Sequence, residues 1–329
     1  MKLASFCHAG AQRIGAVTDD GRLVDLGAAA AGLHGAVPAD WPHDMIALIE
    51  AGPRGLDRAR EAFAWALANP ARCAPIAFAD VAWEPPVRRP SKLCCLALNN
   101  SANADRILSG PKHPAVFVKG ANALIGHGAA IAVKPHYGRV HPEPELAFIV
   151  GRTAKDVAAA DAYDHVFGYT VHNDITSPTM RGEDTFHYRA IHPATDGSNE
   201  IRYVDSYVTY PGRYKGSDTF SPLGPWIVTK DEIPDPHALA ITCRHKGEIV
   251  TEDNTQNLFH KVPDVLAFIS GYMTLLPGDV VSMGTALKRA GGGKAVQNVD
   301  LQTLGGPVSV TIERIGTLSN EVAHIPARQ

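Results

Sequence analysis

RVHPEPELAFIVG, residues 139–151, sets two acidic side chains, Glu143 and Glu145, one residue apart at the head of the apolar string Leu146, Ala147, Phe148, Ile149 and Val150. An apolar run of that length has the pattern of a strand buried on both faces. The two-residue repeat of a strand puts both glutamates on one face, roughly 7 Å apart along it. Two carboxylates that close repel each other, and a buried strand holds them only if one is protonated or a cation lies between them. Downstream, VFGYTVHND at 166–174 ends a second apolar run in Asp174, where a strand would hand over to a loop. Three carboxylates leave part of an octahedron open to water and a bidentate ligand, as magnesium and manganese sites do. The flanking Pro142 and Pro144 equally suit an edge strand with solvated charges, so the fragment alone leaves both readings open.

Outward from this stretch, EPPVRRPS at 84–91 carries three prolines and two arginines, the character of a linker. It divides the chain into a small α+β unit, 1–85, and a larger unit, 86–329. In the first, KLASFCHAG and RIGAVTDDGRLVDL predict strands with a hairpin turn at Asp20-Gly21, followed by helices over Asp44 to Glu50 and Leu56 to Leu67. In the second, strands are predicted at AVFVKG, AIAVKP, ELAFIVG, GYTVH, WIVT, ALAITCRHKG, VVSMG and VSVTIERIG. Helices are predicted at Ala154 to Ala162 and Val262 to Met273, with Pro277-Gly278 as a tight reversal. The expected class is α+β and β-rich.

Composition narrows the function classes. At 329 residues with a net charge of -3 and 20% charged residues, there is no basic surface for nucleic acid. The N-terminus MKLASFCHAG lacks a signal peptide's apolar core, and no window approaches the ~20 apolar residues of a membrane helix, so a cytoplasmic location is expected. The five cysteines have no C-x-x-C spacing, and Cys94 and Cys95 point to opposite faces of one strand, which predicts buried free thiols. The sequence contains no G-x-S-x-G elbow, HExxH helix or G-x-G-x-x-G turn. GGGK at 291–294 lacks the spacing of a phosphate loop and is expected to be a surface loop.

ELAFIVGR and GYTVHND, then YKGSDTFSPLGPWIVTKDEI at 214–233, LLPGDVVSMGTA at 275–286 and IERIGTLSNEV at 312–322, follow one another in a single order. That ordered set resembles the fumarylacetoacetate hydrolase family, from about Lys92 to Val322. The resemblance implies a mixed β-roll core with peripheral helices and a homodimer. It also implies Mg²⁺, Mn²⁺ or Ca²⁺ held by Glu143, Glu145 and Asp174. Lys215, in the glycine-flanked YKGSDTF, matches a lysine that stabilises an enolate's charge. Thr285 matches a threonine that touches the substrate carboxylate, and Lys119 a polar contact of the pocket rim.

The largest departure from the family lies in LALNNSANADRI, 96–107, where the family carries Asn-Tyr-x-x-His-x-x-Glu on a lid. Here Asn100, Asn103 and Arg106 stand at the tyrosine, histidine and glutamate positions, and neither Asn nor Arg takes a proton from water near pH 7. The polar segment 176–213 is longer than the family pattern and reads as an unstructured active-site lid or an oligomer-contact loop. His187 or His192 within it is the expected replacement base. The expected activity is metal-dependent hydrolysis of the carbon–carbon bond in a 1,3-dicarbonyl acid such as an acylpyruvate, in catabolism of aromatic or related compounds. The alternative is an isomerase, hydratase or decarboxylase acting on a 2-oxo or 2-hydroxydienoic acid through the same enolate. A non-catalytic ligand-binding protein is the third possibility, disfavoured by the intact Glu143, Glu145, Asp174 and Lys215.

Overall fold

A computed structural model describes residues 1–326 apart from 102, 103, 105, 106, 289, 290 and 292–294, so Asn103, Arg106 and most of GGGK lie outside the described residues. The chain is α+β and dominated by a 12-stranded sheet. Its main path runs through Ile76–Ala77, Arg22–Asp25, Ala11–Val17, Lys2–His8, Ser221–Thr229, Val166–Asn173, Pro144–Val150, Val280–Ser282, Leu93–Ala97 and Ala115–Lys119. The N-terminal strands therefore continue the sheet of the larger unit, joined where Leu3 pairs with Ile227. A second, four-stranded sheet is ordered Glu248–Asn254, Ala240–His245, Val308–Ile312, Gly316–Asn320.

The strand Pro144–Val150 is buried throughout and hydrogen-bonded on both sides, to Val166–Asn173 and to Val280–Ser282. It is an interior strand, and Pro144 is tolerated because it is the first residue. Alternation divides the core: Leu146, Phe148 and Val150 pack into a cluster with Ile241, Val310 and Leu318 of the second sheet, while Ala147 and Ile149 pack into another with Leu48 and Ile49. The same division separates Cys94 from Cys95, which fall in different clusters. All five cysteines are free; four are buried and Cys7 is half-buried.

Helices form at Met45–Glu50, Gly52–Ala68 and Val262–Tyr272 as expected, but no α-helix forms over 154–162. There Ala154 commits both its N–H and its C=O to Leu275, and Asp156 takes a left-handed φ of 52°, so helical hydrogen bonds cannot start. A 3-10 helix follows at Ala159–His165.

The long segment between Asp174 and Lys215 also departs from expectation. It forms a helix, Pro178–Glu183, and then a two-stranded ribbon, Phe186–Pro193 against Ile201–Val208. The signal was Asp196-Gly197 between two runs rich in aromatic and β-branched residues: Gly197 has φ +78° and Asp196 accepts from Ser198 N at 2.9 Å. Polar residues between those runs masked it.

Candidate metal centre and cleft

The strand register brings the acidic residues together. Glu145 lies directly opposite His172 across the ladder, and Asp174 lies two residues beyond His172, just past the end of that neighbouring strand. Asp174 N donates to Glu143 O at 2.9 Å, which ties the residue preceding one strand to the residue following the other. Oxygens of Glu143, Glu145 and Asp174 lie within 4.8 Å of one another.

Each carboxylate is held by different means. Glu145 accepts from the Ser282 hydroxyl, from Gly284 N at 3.2 Å and from Thr285 Oγ1 at 3.2 Å. Gly284 can present its N–H there because it has φ +92°, and a side chain would meet Asn99 Cβ at 2.9 Å. His172 Nδ1 lies 2.7 Å from Ser282 Oγ; since that hydroxyl gives its proton to Glu145, Nδ1–H is assigned as donor to Ser282. His172 Nε2 then has no protein partner among the described residues. Asp174 receives Lys119 Nζ at 2.6 Å on one oxygen and Lys215 Nζ at 2.5 Å on the other. Lys215 also reaches Glu143 at 2.6 Å.

Burial pushes the Glu145 carboxyl above the usual carboxylate range, opposed by its contact with His172. Burial pushes Asp174 the same way, but the Lys119 and Lys215 ammoniums outweigh it and hold this carboxyl well below that range. For Lys215 burial favours the neutral amine; Asp174, Glu143 and Glu145 outweigh it and keep the ammonium charged. Three carboxylates against two ammoniums leave one formal negative charge in a largely buried space. The Lys215 ammonium is the cation that Glu143 and Asp174 share in this structure. A hard oxygen donor set with residual negative charge fits a divalent cation.

The triad opens onto a cleft of about 1100 Å³, lined near it by His141, Glu143, Lys215 and Thr285. Phe117, Phe268 and Tyr272 supply apolar lining, and Arg139 and Arg181 supply charge. Glu143 is the one acidic residue among the described lining residues.

Of the residues singled out from the sequence, Glu143, Glu145, Asp174, Lys215 and Thr285 come together. Lys119 is not at a rim: it is 2% exposed, lies behind Asp174 and also donates to Phe220 O at 2.6 Å. His187 and His192 sit on the exposed ribbon, His187 stacked on Tyr207 at 4.3 Å between ring centroids, and neither lines the cleft. Asn100 donates to the buried Asp253 at 3.0 Å. The sequence reading missed His141, His172 and Ser282. Alternation could have found two of them: His141 precedes Glu143, and His172 precedes Asp174, by two residues.

Residues 92–323 match the family model for the fumarylacetoacetate (FAA) hydrolase C-terminal domain. The mitochondrial oxaloacetate tautomerase of Rattus norvegicus is 31% identical over 282 residues, 85% of this chain and 80% of the relative. Among solved structures, the maleylpyruvate hydrolase of Sphingobium sp. SYK-6, in complex with manganese(II) and pyruvate, superposes with a TM-score of 0.69 at 28% identity, covering 98% of this chain and 99% of that one. The 5-carboxymethyl-2-hydroxymuconate delta-isomerase of Mycobacterium smegmatis superposes with a TM-score of 0.66 at 26% identity, covering 99% of both chains. With a family model spanning well over half of its length and the ordered motifs of the triad in place, the chain belongs to the fumarylacetoacetate hydrolase family.

Proposed function

We propose that the protein is an enzyme that moves a proton on a 2-oxo acid, converting keto and enol forms or shifting a double bond conjugated to them. The observation that carries this reading is the chemistry of the cleft lining. Beside the triad the cleft lining presents one ammonium, Lys215, and one buried imidazole, His141, whose Nε2 is 4.0 Å from Glu143; the lining's other histidine, His113, is exposed and stacked on Phe268, and His172 lies behind Glu145 outside the lining. No second carboxylate is available among the described lining residues to form a water-activating pair with a histidine. A divalent cation, Mg²⁺, Mn²⁺ or Ca²⁺, on Glu143, Glu145 and Asp174 would supply Lewis acidity to the substrate's carboxylate and oxo oxygens.

The chain's own residues do the rest. Thr285 Oγ1, already at the cleft, orients the substrate carboxylate by turning its one hydroxyl proton from Glu145 to it, and Lys215 offsets negative charge as it grows on the oxo oxygen. His141 takes the proton from the carbon next to the oxo group and returns it to oxygen, a task suited to an imidazole near neutral pH. Asn103 remains a proposed contact to substrate or water.

Hydrolysis of an acylpyruvate-type carbon–carbon bond is the second reading, favoured by the likeness to the maleylpyruvate hydrolase over nearly the whole chain. Incubation of the Mn²⁺-loaded protein with oxaloacetate, acylpyruvates and hydroxydienoates, followed by NMR, separates the two. A single rearranged product is expected, with solvent deuterium at the carbon beside the oxo group. Cleavage of an acylpyruvate into pyruvate and the free carboxylic acid, with water added across the carbon–carbon bond, would establish hydrolysis, and no turnover of any of these would sink both readings.

A homodimer is part of the proposal. The ribbon supplies apolar surface for it, with Tyr203 and Tyr207 exposed by 63% and 74%, and sedimentation velocity would read the assembly. A cytoplasmic location is likewise proposed, in keeping with five free thiols. No helix among the described residues is long and apolar enough to cross a membrane.

A further inference from the structure

We propose that Ser282, held by His172, is a positioning residue that ties back one oxygen of Glu145, so that the triad favours a small six-coordinate cation such as Mg²⁺ over Ca²⁺. This rests on the reading of the triad as a metal site and adds which cation it selects and what enforces the choice.

The two oxygens of the fully buried Glu145 have different surroundings. Oε2 accepts from the Ser282 hydroxyl and from Gly284 N at 3.2 Å. A carboxylate oxygen has two lone pairs, so these two donors fill it and leave no place for a cation. Oε1 accepts from Thr285 Oγ1 at 3.2 Å, and Thr285 lines the cleft. The Thr285 hydroxyl can turn away from Oε1. The donors to Oε2 are fixed: one is a backbone amide, and the other belongs to the buried strand Val280–Ser282, which pairs with Pro144–Val150 on one side and Leu93–Ala97 on the other.

His172 holds the serine in place. Its Nδ1 lies 2.7 Å from Ser282 Oγ but 3.8 Å from Glu145 Oε2, too far to bond the carboxylate itself, so it acts through the hydroxyl. With Nδ1–H donating to the serine oxygen, the serine's one proton is left for Glu145. All three side chains are fully buried, and strand pairing sets them on one face: Glu145 is opposite His172, and Ser282 is opposite Ala147, two residues from Glu145. Asp174 repeats the arrangement, with Oδ1 held from behind by the buried Lys119 and Oδ2 meeting Lys215, which lines the cleft. Each buried carboxylate thus turns one oxygen to the cleft. Ca²⁺ takes about six to eight oxygens and uses bidentate carboxylates, whereas Mg²⁺ requires a near-ideal octahedron and keeps several waters. Carboxylates limited to one oxygen each suit the smaller ion.

Competition of Mg²⁺ and of Ca²⁺ against Mn²⁺, with free Mn²⁺ read by electron paramagnetic resonance, tests the assignment. In Ser282→Ala the freed Oε2 is open to a large cation, and the ratio of Ca²⁺ to Mg²⁺ affinity is expected to rise roughly tenfold over native, mostly through weaker Mg²⁺ binding. His172→Phe should raise it less. His172→Asn, whose amide places an N–H close to the Nδ1 position, should keep the native ratio. Ser282→Ala leaves the His172 N–H unpaired in the core, so the double variant Ser282→Ala/His172→Phe, which leaves neither group unpaired, carries the same expectation where the single variant fails to fold. A merely structural role would weaken both cations together and leave the ratio where it was. A ratio that is unchanged or lowered in the double variant overturns the role of Ser282 and leaves the triad standing as a metal site; a native ratio in His172→Phe overturns the part given to His172. Absence of Mn²⁺ binding by the native protein overturns both the proposal and the metal site.

Discussion

Lys119 Nζ lies 2.6 Å from Asp174 Oδ1 with both side chains essentially shut off from solvent, while Lys215 meets the other Asp174 oxygen from the side that opens on the cleft. The same carboxylate thus has a structural partner behind it and a functional partner in front. Attraction of this kind offsets the large cost of dehydrating a carboxylate, and losing one partner of a buried pair leaves a charge that nothing repays.

Lys119→Met should therefore destabilise the fold by about 3–5 kcal/mol, the range for breaking a buried pair. Urea unfolding at neutral pH reads it. Because the paired Asp174 titrates below its ordinary value, the stability it contributes is present above that value and is lost as pH falls through the depressed one. The gap between native and variant should narrow at low pH. A loss under about 1 kcal/mol would mean that Lys119 does not hold Asp174 charged.

Asp174→Asn and Glu145→Gln should weaken Mn²⁺ binding by more than the about 10–100-fold typical of losing an outer partner, and excess metal should restore part of the turnover. Exhaustive chelation should abolish activity until metal is returned. Normal turnover by protein shown metal-free by elemental analysis would rule out the triad as a metal site.

The pH dependence of metal binding follows from Glu145. Its carboxyl keeps a proton above the ordinary 4.5, so between that value and its raised one the metal must displace the proton. Mn²⁺ affinity should rise with pH across this window, by up to about tenfold per unit, and level off beyond it. The same shift means that the folded state gains from this proton at low pH and loses that gain as pH rises through the raised value. Titrations in buffers of different ionisation enthalpy count the proton released; a count of zero throughout the window would contradict the assignment.

His141→Gln should lower kcat by about 10²–10⁴-fold, the range for a general base, while His187→Ala and His192→Ala stay within about twofold of native. Asn103→Ala should cost far less than His141→Gln. Full activity in His141→Gln would remove the imidazole from the mechanism, and a collapse in His187→Ala would return the base to the ribbon.

Much of the site was legible in the sequence because its parts are local. Glu143 and Glu145 are bound to one face by strand periodicity, Asp174 ends an apolar run, and Cys94 and Cys95 separate into two cores by the same alternation. Where the pattern was mixed, it failed: residues 154–162 look helical until Leu275 claims the backbone of Ala154, and the aromatic runs around Asp196-Gly197 were hidden by interspersed charge.

By itself the sequence determined which residues could be ligands, because spacing along a strand is a property of one segment. Only the tertiary structure decided who stands beside them. Lys119 approaches Asp174 across 55 residues, Ser282 approaches Glu145 across 137, and His172 meets Ser282 across 110. Those distances are closed by strand pairing and burial, which depend on every neighbouring segment at once and leave no periodic trace in any one of them.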